Sequence, residues 1–304
     1  MPVTPTKLIW MDGKLVPWED AKVHALTHTL HYGSGIFEGI RCYESKKGPA
    51  VFRLTEHIER LGRSAKIYLI DMPFSIPQLI DGVKDTIRAN ELKSCYVRPL
   101  VYHGYGEMGV DPTPAPVNVL IATWAWGAYL GEDSFSQGVK VMISSWERYG
   151  HNSLPPAAKA TGQYLNSGLA KVEAKKAGYD EAIMLNAAGN VTDGTGENVF
   201  MIRDDTLCTP PLSAGPLGGI TRDTIMTIAR DLGMTVQECE LVRSDLYTAD
   251  EVFMTGTAAE VVPIRSVDDR DLGDPGPMTK KIQEVFFATV RGEVERYSAW
   301  NELV

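Results

Sequence analysis

"GPLGGITRDTIMTIARDLG", residues 215–233, is the stretch whose reading decides the fold. Gly218-Gly219 stand directly before a run with the apolar spacing of an amphipathic helix, and the run closes near Gly233. Glycines let a backbone approach a ligand closely. The first N–H groups of a helix lack intrahelical partners and carry partial positive charge. The stretch therefore reads either as a phosphate cup, with Thr221 adding a hydroxyl, or as an ordinary capped helix. The same test applied to "GYGEMG", residues 104–109, gives the opposite answer. A dinucleotide fingerprint needs a helix at once, but Pro112, Pro114 and Pro116 follow and forbid it. A nucleotide-binding dehydrogenase is left as a remote alternative, and a substrate-facing loop is the better use of that segment.

Outward from the cup, the chain reads as mixed α/β. "KLIWMDGKLVPW" predicts a hairpin turning at Asp12-Gly13, and "GIRCYES" with "AVFRL" predicts a second strand pair. Thr55 is placed to cap a helix through Ile58, Leu61 and Ala65, and Ser75-Pro77 to open another that runs to Ala89. "CYVRPLVYH" and "VNVLIATW" are β-branched and aromatic, hence strands. Residues 125–138 are rich in Gly and Ser and break the periodicity, so they read as an interdomain loop. That divides the chain into a small domain, 1–124, and a larger one, 139–304. In the larger part a strand opens at "VKVMISSW", helices are expected at 163–177, 221–232 and 278–297, and strands run from "EAIML" to "NVFMIR".

The 304 residues allow two cores, and the net charge of −9 argues against a nucleic-acid partner. No apolar run approaches the roughly 20 residues of a membrane span, and the first residues lack the pattern of an export signal. Cys42, Cys95, Cys208 and Cys239 are scattered, as expected of small core thiols in a reducing, cytoplasmic setting. "HALTHTLH" spaces His24, His28 and His31 like metal ligands, but the segment runs into "YGSGIFEG", so structural histidines are the better reading.

"PPAAKATGQY" sets Lys159 among Ala157, Ala158 and Ala160, small neighbours that let a bulky group reach the amine. "VTDGTGENVF", residues 191–200, holds two acids, Asp193 and Glu197, in a Gly-rich turn. An amine, a phosphate cup and a carboxylate together match what pyridoxal phosphate requires.

In "HYGSGIFEGIRCY", "YVRPLV", "EMGV", "WGAYLG", "AAKATGQYL", "GGITRD" and "FMTGTAAE", over essentially its whole length, the chain resembles the branched-chain amino acid aminotransferases. These are fold-type-IV pyridoxal 5'-phosphate enzymes. The resemblance implies a small N-terminal α/β domain and a larger C-terminal domain with a barrel-like sheet, the cofactor between them, and a homodimer or an assembly of dimers. It implies Lys159 as Schiff-base and proton-transfer residue. Arg60, Leu217, Ile220, Thr221 and Thr257 would hold the cofactor's phosphate end, and Tyr164 its phenolic oxygen. Phe37, Trp126, Tyr129 and Tyr164 would make an apolar wall, completed by Tyr32 and Val110 from the partner subunit. Arg98 would take a glutamate side-chain carboxylate; Tyr96 with the Thr257-Ala258 turn would take the α-carboxylate. The implied reaction is ping-pong transamination between Leu, Ile or Val and 2-oxoglutarate. D-amino acid aminotransferases and aminodeoxychorismate lyases share the lysine and the cup, and are the alternatives within the fold.

The chain departs from the family at one point. Where the family has Glu in S/T-E-G, this sequence has Thr192-Asp193-Gly194, one methylene shorter. Asp193 is expected to meet the pyridine nitrogen directly or through water, and Glu197 to serve a supporting role, paired with an arginine such as Arg98.

Overall fold

In the computed structural model, the described residues are 3–127, 130–131 and 133–304. They form two compact units. The first comprises Met1–Trp126, Ala158–Gln163 and Thr289–Val304; the second comprises Gly127–Ala157 and Tyr164–Ala288. A linear cut at 124 and 139 therefore misses two returns of the chain. Residues 158–163 and the C-terminal 16 residues join the N-terminal unit, where they find unpaired backbone.

The strands of the first unit are β1 (Leu8–Met11), β2 (Lys14–Pro17), β3 (Gly35–Phe37), β4 (Ile40–Ser45), β5 (Gly48–Phe52), β6 (Cys95–His103) and β7 (Val117–Trp124). With a C-terminal strand, Asn301–Leu303, they make one antiparallel sheet ordered C-terminal strand, β5, β4, β6, β7, β1, β2, with β3 also on β6. Asp12 (φ 46°) and Gly13 (φ 89°) supply the positive-φ turn between β1 and β2. Three helices follow the sequence: α1 (His28–Tyr32), α2 (Leu54–Ile67) and α3 (Ile76–Ala89). Ile58 and Leu61 of α2 and Leu79, Val83 and Ile87 of α3 are fully buried against Val97 and Ile121 of the sheet. Each contributes on the order of 1.5–3 kcal/mol. Ser75 and Gln78 form the expected cap of α3. Thr55 does not cap α2. The N-cap is Arg53 in a left-handed conformation, and the Thr55 N–H donates to Glu302 Oε1 at 2.7 Å. A residue at the far end of the chain has taken the cap's place.

In the second unit the strands are β8 (Val139–Ile143), β9 (Glu181–Leu185), β10 (Val191–Gly194), β11 (Asn198–Arg203), β12 (Thr206–Thr209), β13 (Thr235–Glu238), β14 (Glu251–Gly256), β15 (Glu260–Val267) and β16 (Arg270–Asp271). The order is β10, β9, β8, β15, β14, β11, β12, β13, with β16 on β15. Edge strand β10 is only three residues from β11 along the chain, yet five places away in the sheet. The Gly194 N–H donates to Glu197 O at 2.7 Å across that turn. Both hold only if the sheet curls on itself, which makes it a half-barrel. Five helices complete the described chain: α4 (Ser134–Gln137), α5 (Tyr164–Lys176), α6 (Ile220–Asp231), α7 (Arg243–Tyr247) and α8 (Pro277–Val290). The last ends earlier than its periodicity suggested, because Gly292 turns left-handed (φ 70°) and a 3-10 turn, Glu295–Trp300, replaces the helix. Among the described residues no helix is long and apolar enough to cross a membrane.

Candidate active site

Lys159 belongs to the first unit because its backbone extends that unit's sheet. The Phe37 N–H donates to Lys159 O at 3.0 Å, the Thr161 N–H to Gly35 O at 2.8 Å, and the Lys159 N–H to Ser64 Oγ at 3.0 Å. The strands cross closely: a Cβ on Gly33 would lie 2.7 Å from Gly162 Cα. Ala158 and Ala160 are buried, and Lys159 Nζ sits 5.1 Å from the centre of the Phe37 ring.

Arg60 rises from α2 into a buried polar knot that the sequence reading missed. Its Nε donates to Glu38 Oε1 at 2.7 Å, and a second guanidinium nitrogen to Oε2 at 2.8 Å. His57 Nδ1, one helical turn before, donates to Glu38 Oε2 at 2.8 Å. Burial opposes ionisation of Glu38, but Arg60 and His57 outweigh it and hold the carboxyl well below its usual range. Burial pushes His57 down, more than Glu38 raises it, so the ring is neutral and serves as a donor. Arg60 is thus clamped on both edges of a carboxylate.

Arg98, on β6, lies in an aromatic box. Its guanidinium carbon is 4.6 Å from the Phe37 ring centre, 5.3 Å from Tyr96 and 5.9 Å from Trp124. It donates to the Tyr96 hydroxyl at 3.2 Å, while its buried Nε has no hydrogen-bond partner among the described residues. A buried guanidinium N–H left over among ring faces is suited to an incoming carboxylate. Trp126 packs edge-on against Tyr96 at 4.4 Å. Gly39 is what lets Tyr96 in: a Cβ there would lie 1.9 Å from its hydroxyl. Tyr32 and Val110 are 46% and 90% exposed. Tyr129 lies outside the described residues.

The two acids of the second unit stand in different surroundings. Asp193 on β10 is buried, and Arg148 Nε donates to its Oδ1 at 2.9 Å. Arg148 is fixed in turn by donating to Gly194 O at 2.7 Å and Ser167 Oγ at 3.0 Å. Burial works against the Arg148 charge, but Asp193 outweighs it and holds the guanidinium cationic. Glu197 is different. Burial first, then the neighbouring Glu181 carboxylate, push it up to about 8, against the Gly196 N–H and Lys171. It is therefore mainly neutral at pH 7. These groups, rather than Arg98, set its charge.

The helix starts where the glycines predicted. Gly219 is the N-cap of α6, and no side chain caps the helix. Ile220 and Thr221 open its first turn, and both are buried. Leu217 and Gly218 lead into it in extended chain. Thr257 and Ala258 occupy the turn between β14 and β15. Tyr164 begins α5 and is 36% exposed. An uncapped helix start flanked by glycine, with a buried carboxylate–arginine pair on the same unit, fits a ligand with a phosphate at one end and a basic ring nitrogen at the other.

Glycines 104 and 106 lie in irregular chain with no helix after them, so that motif carries no nucleotide site. The three histidines each have their own partner. His28 bonds Ser34 and Gly109 O, His31 bonds Ala25 O, and His24 accepts from the Leu26 N–H.

The family model for amino-transferase class IV matches residues 35–267. A branched-chain-amino-acid aminotransferase of Salmonella typhimurium is 50% identical over 299 residues, 97% of each chain. The crystal structure of the Escherichia coli branched-chain amino acid aminotransferase is similar with a TM-score of 0.96 and 49% identity, over 98% of this chain and 99% of that one. The branched-chain amino acid aminotransferase from Thermobaculum terrenum, in its PLP-bound holo-form, has a TM-score of 0.91 and 35% identity over 97% of both chains.

Proposed function

This chain belongs to the class IV aminotransferases, and from that premise we propose that it transfers amino groups between branched-chain L-amino acids and 2-oxoglutarate with pyridoxal 5'-phosphate. The observation that carries this is the 50% identity to a branched-chain aminotransferase over 97% of both chains. Bound pyridoxal phosphate supplies an electron sink for the Cα–H bond that must break. The protein's own side chains do the rest. Lys159 Nζ binds the cofactor between turnovers and carries the Cα proton during them. The Ile220 and Thr221 N–H groups, with Arg60 and Thr257, hold the phosphate. Asp193, ion-paired with Arg148, keeps the ring nitrogen protonated. A neutral Glu197 cannot supply that charge.

Phe37, Trp126 and Tyr164, with Tyr129, exclude water from an apolar side chain, Tyr96 with the Thr257-Ala258 turn holds the α-carboxylate, and Arg98 donates to glutamate's second carboxylate. Exposure of Tyr32 and Val110 supports their service to a second subunit in a homodimer. Four free thiols support a cytoplasmic location.

Two measurements test this. Borohydride reduction of the cofactor-loaded protein should fix the cofactor to Lys159, and L-leucine, but neither D-alanine nor aminodeoxychorismate, should convert it. A protein that pyridoxal phosphate cannot load sinks the reading. Within the site, Asp193→Asn should slow the half-reaction by on the order of 10²–10³-fold, the scale of one preorganised charge. Glu197→Gln should leave it within a few fold; the reverse result would exchange the two roles.

A further inference from the structure

We propose that Asn198 is a positioning residue that sets the spacing between the phosphate cup and the Asp193 hairpin. This rests on the cofactor assignment above. Asn198 is the first residue of β11, immediately after the turn that carries Glu197 and four residues after Gly194. It is 7% exposed. Its Nδ2 donates to Leu217 O at 2.8 Å, inside the cup. Its Oδ1 presses on the cup's glycine: a Cβ on Gly219 would lie 2.0 Å from that oxygen and 3.2 Å from Asn198 Cγ. The same residue pairs with Thr255 on β14, two residues before Thr257. One residue therefore ties together the turn after the pyridine partner, the segment that opens the phosphate-binding helix, and the strand that leads to the last phosphate ligand.

Such a bridge matters because the ligand is stiff. A pyridine ring with a short phosphate arm spans a fixed distance, so its two anchors must be held at that distance. Asp193 is one methylene shorter than the family's acid, which leaves less slack at the ring end. Gly219 is then read twice. It frees the helix start for phosphate, and it makes room for the amide that fixes the start's height. Arg222, which donates to Pro210 O at 3.0 Å and Glu238 at 2.7 Å, anchors the same helix to a different part of the unit.

The test separates the cup from the fold by using a cofactor without phosphate. The full chain, stripped of cofactor, is titrated with pyridoxal phosphate and with pyridoxal. In Asn198→Ala and Asn198→Asp, pyridoxal phosphate affinity should fall about tenfold, the scale of one lost hydrogen bond, while pyridoxal affinity stays within about twofold. Gly219→Ala should give the same pattern by pushing the carboxamide away. The ³¹P resonance of the bound cofactor should shift in all three. Equal losses for both cofactors, or none, overturn the proposal. Wild-type protein that binds neither overturns the cofactor assignment beneath it.

Discussion

Glu38 and Asp193 are both buried carboxylates joined to an arginine, yet the two pairs work in opposite senses. In the first unit Glu38 grips the Arg60 guanidinium on two edges, with His57 as a further donor. In the second the arginine is the part that is gripped from behind, with Arg148 held against Asp193 by Ser167 and Gly194. In the proposed function Arg60 and Asp193 are the ends of the two pairs that meet the cofactor. Asp193 stands on a strand edge in a Gly-rich hairpin, whereas Glu38 is shut in between two strands. Buried pairs add little net stability on their own, because desolvation offsets the attraction. What they add here is one fixed orientation.

The largest break in this comparison should come from Arg148→Met. It leaves Asp193 buried without its cation, so stability to urea should fall by about 3–5 kcal/mol. Arg148→Lys should recover only part, because an ammonium cannot reach Asp193, Ser167 and Gly194 O at once. Unchanged stability in the methionine variant would show that the pair is not what secures β10.

Glu38→Gln is expected to cost less, about 1.5–3 kcal/mol at pH 7, the scale of hydrogen bonds to a charged group. Its pH dependence gives the sharper reading. Glu38 titrates below its ordinary value in the fold, so its contribution is present above pH 4.5 and lost as the pH falls further. Wild type and variant should therefore converge in stability as the pH falls from 4.5 to about 3 and below. A gap that persists in acid would mean that Glu38 acts by shape rather than charge.

Glu197→Gln should be the mildest change and the opposite in sign. The folded state keeps this proton up to about pH 8, while the unfolded chain loses it near 4.5. The fold therefore loses stability as pH rises through that window, by a slope that the neighbouring Glu181 shares. The glutamine variant lacks this slope and should gain on wild type between about pH 5 and 8. Parallel stability curves would place the carboxylate's charge elsewhere.

The sequence made the short-range features legible. The Asp12-Gly13 hairpin, the helix opened by Ser75 and Pro77, and the helix start after Gly218-Gly219 each depend on a few adjacent residues, and each stands where expected. What it hid depends on distant partners. Arg148 meets Asp193 across 45 positions, Glu38 meets Arg60 across 22, and Glu302 meets Thr55 across 247. No periodicity records such meetings. The same cause upset the domain boundaries, since Ala158–Gln163 joins the first unit through backbone pairing that its own composition does not announce.

The Glu302–Thr55 contact also bears on how the chain is made. Leu303 pairs with Ala50, the Val304 N–H donates to Pro49 O, and Glu302 completes the start of the helix that carries His57 and Arg60. Residues 49–55 therefore wait for residues 301–304, about 250 positions later. On the ribosome, the first unit cannot close this sheet edge until residues 301–304 have cleared the exit tunnel. The second unit has all its residues once Ala288 has emerged, so the unit that starts earlier in the chain is the later one to be complete.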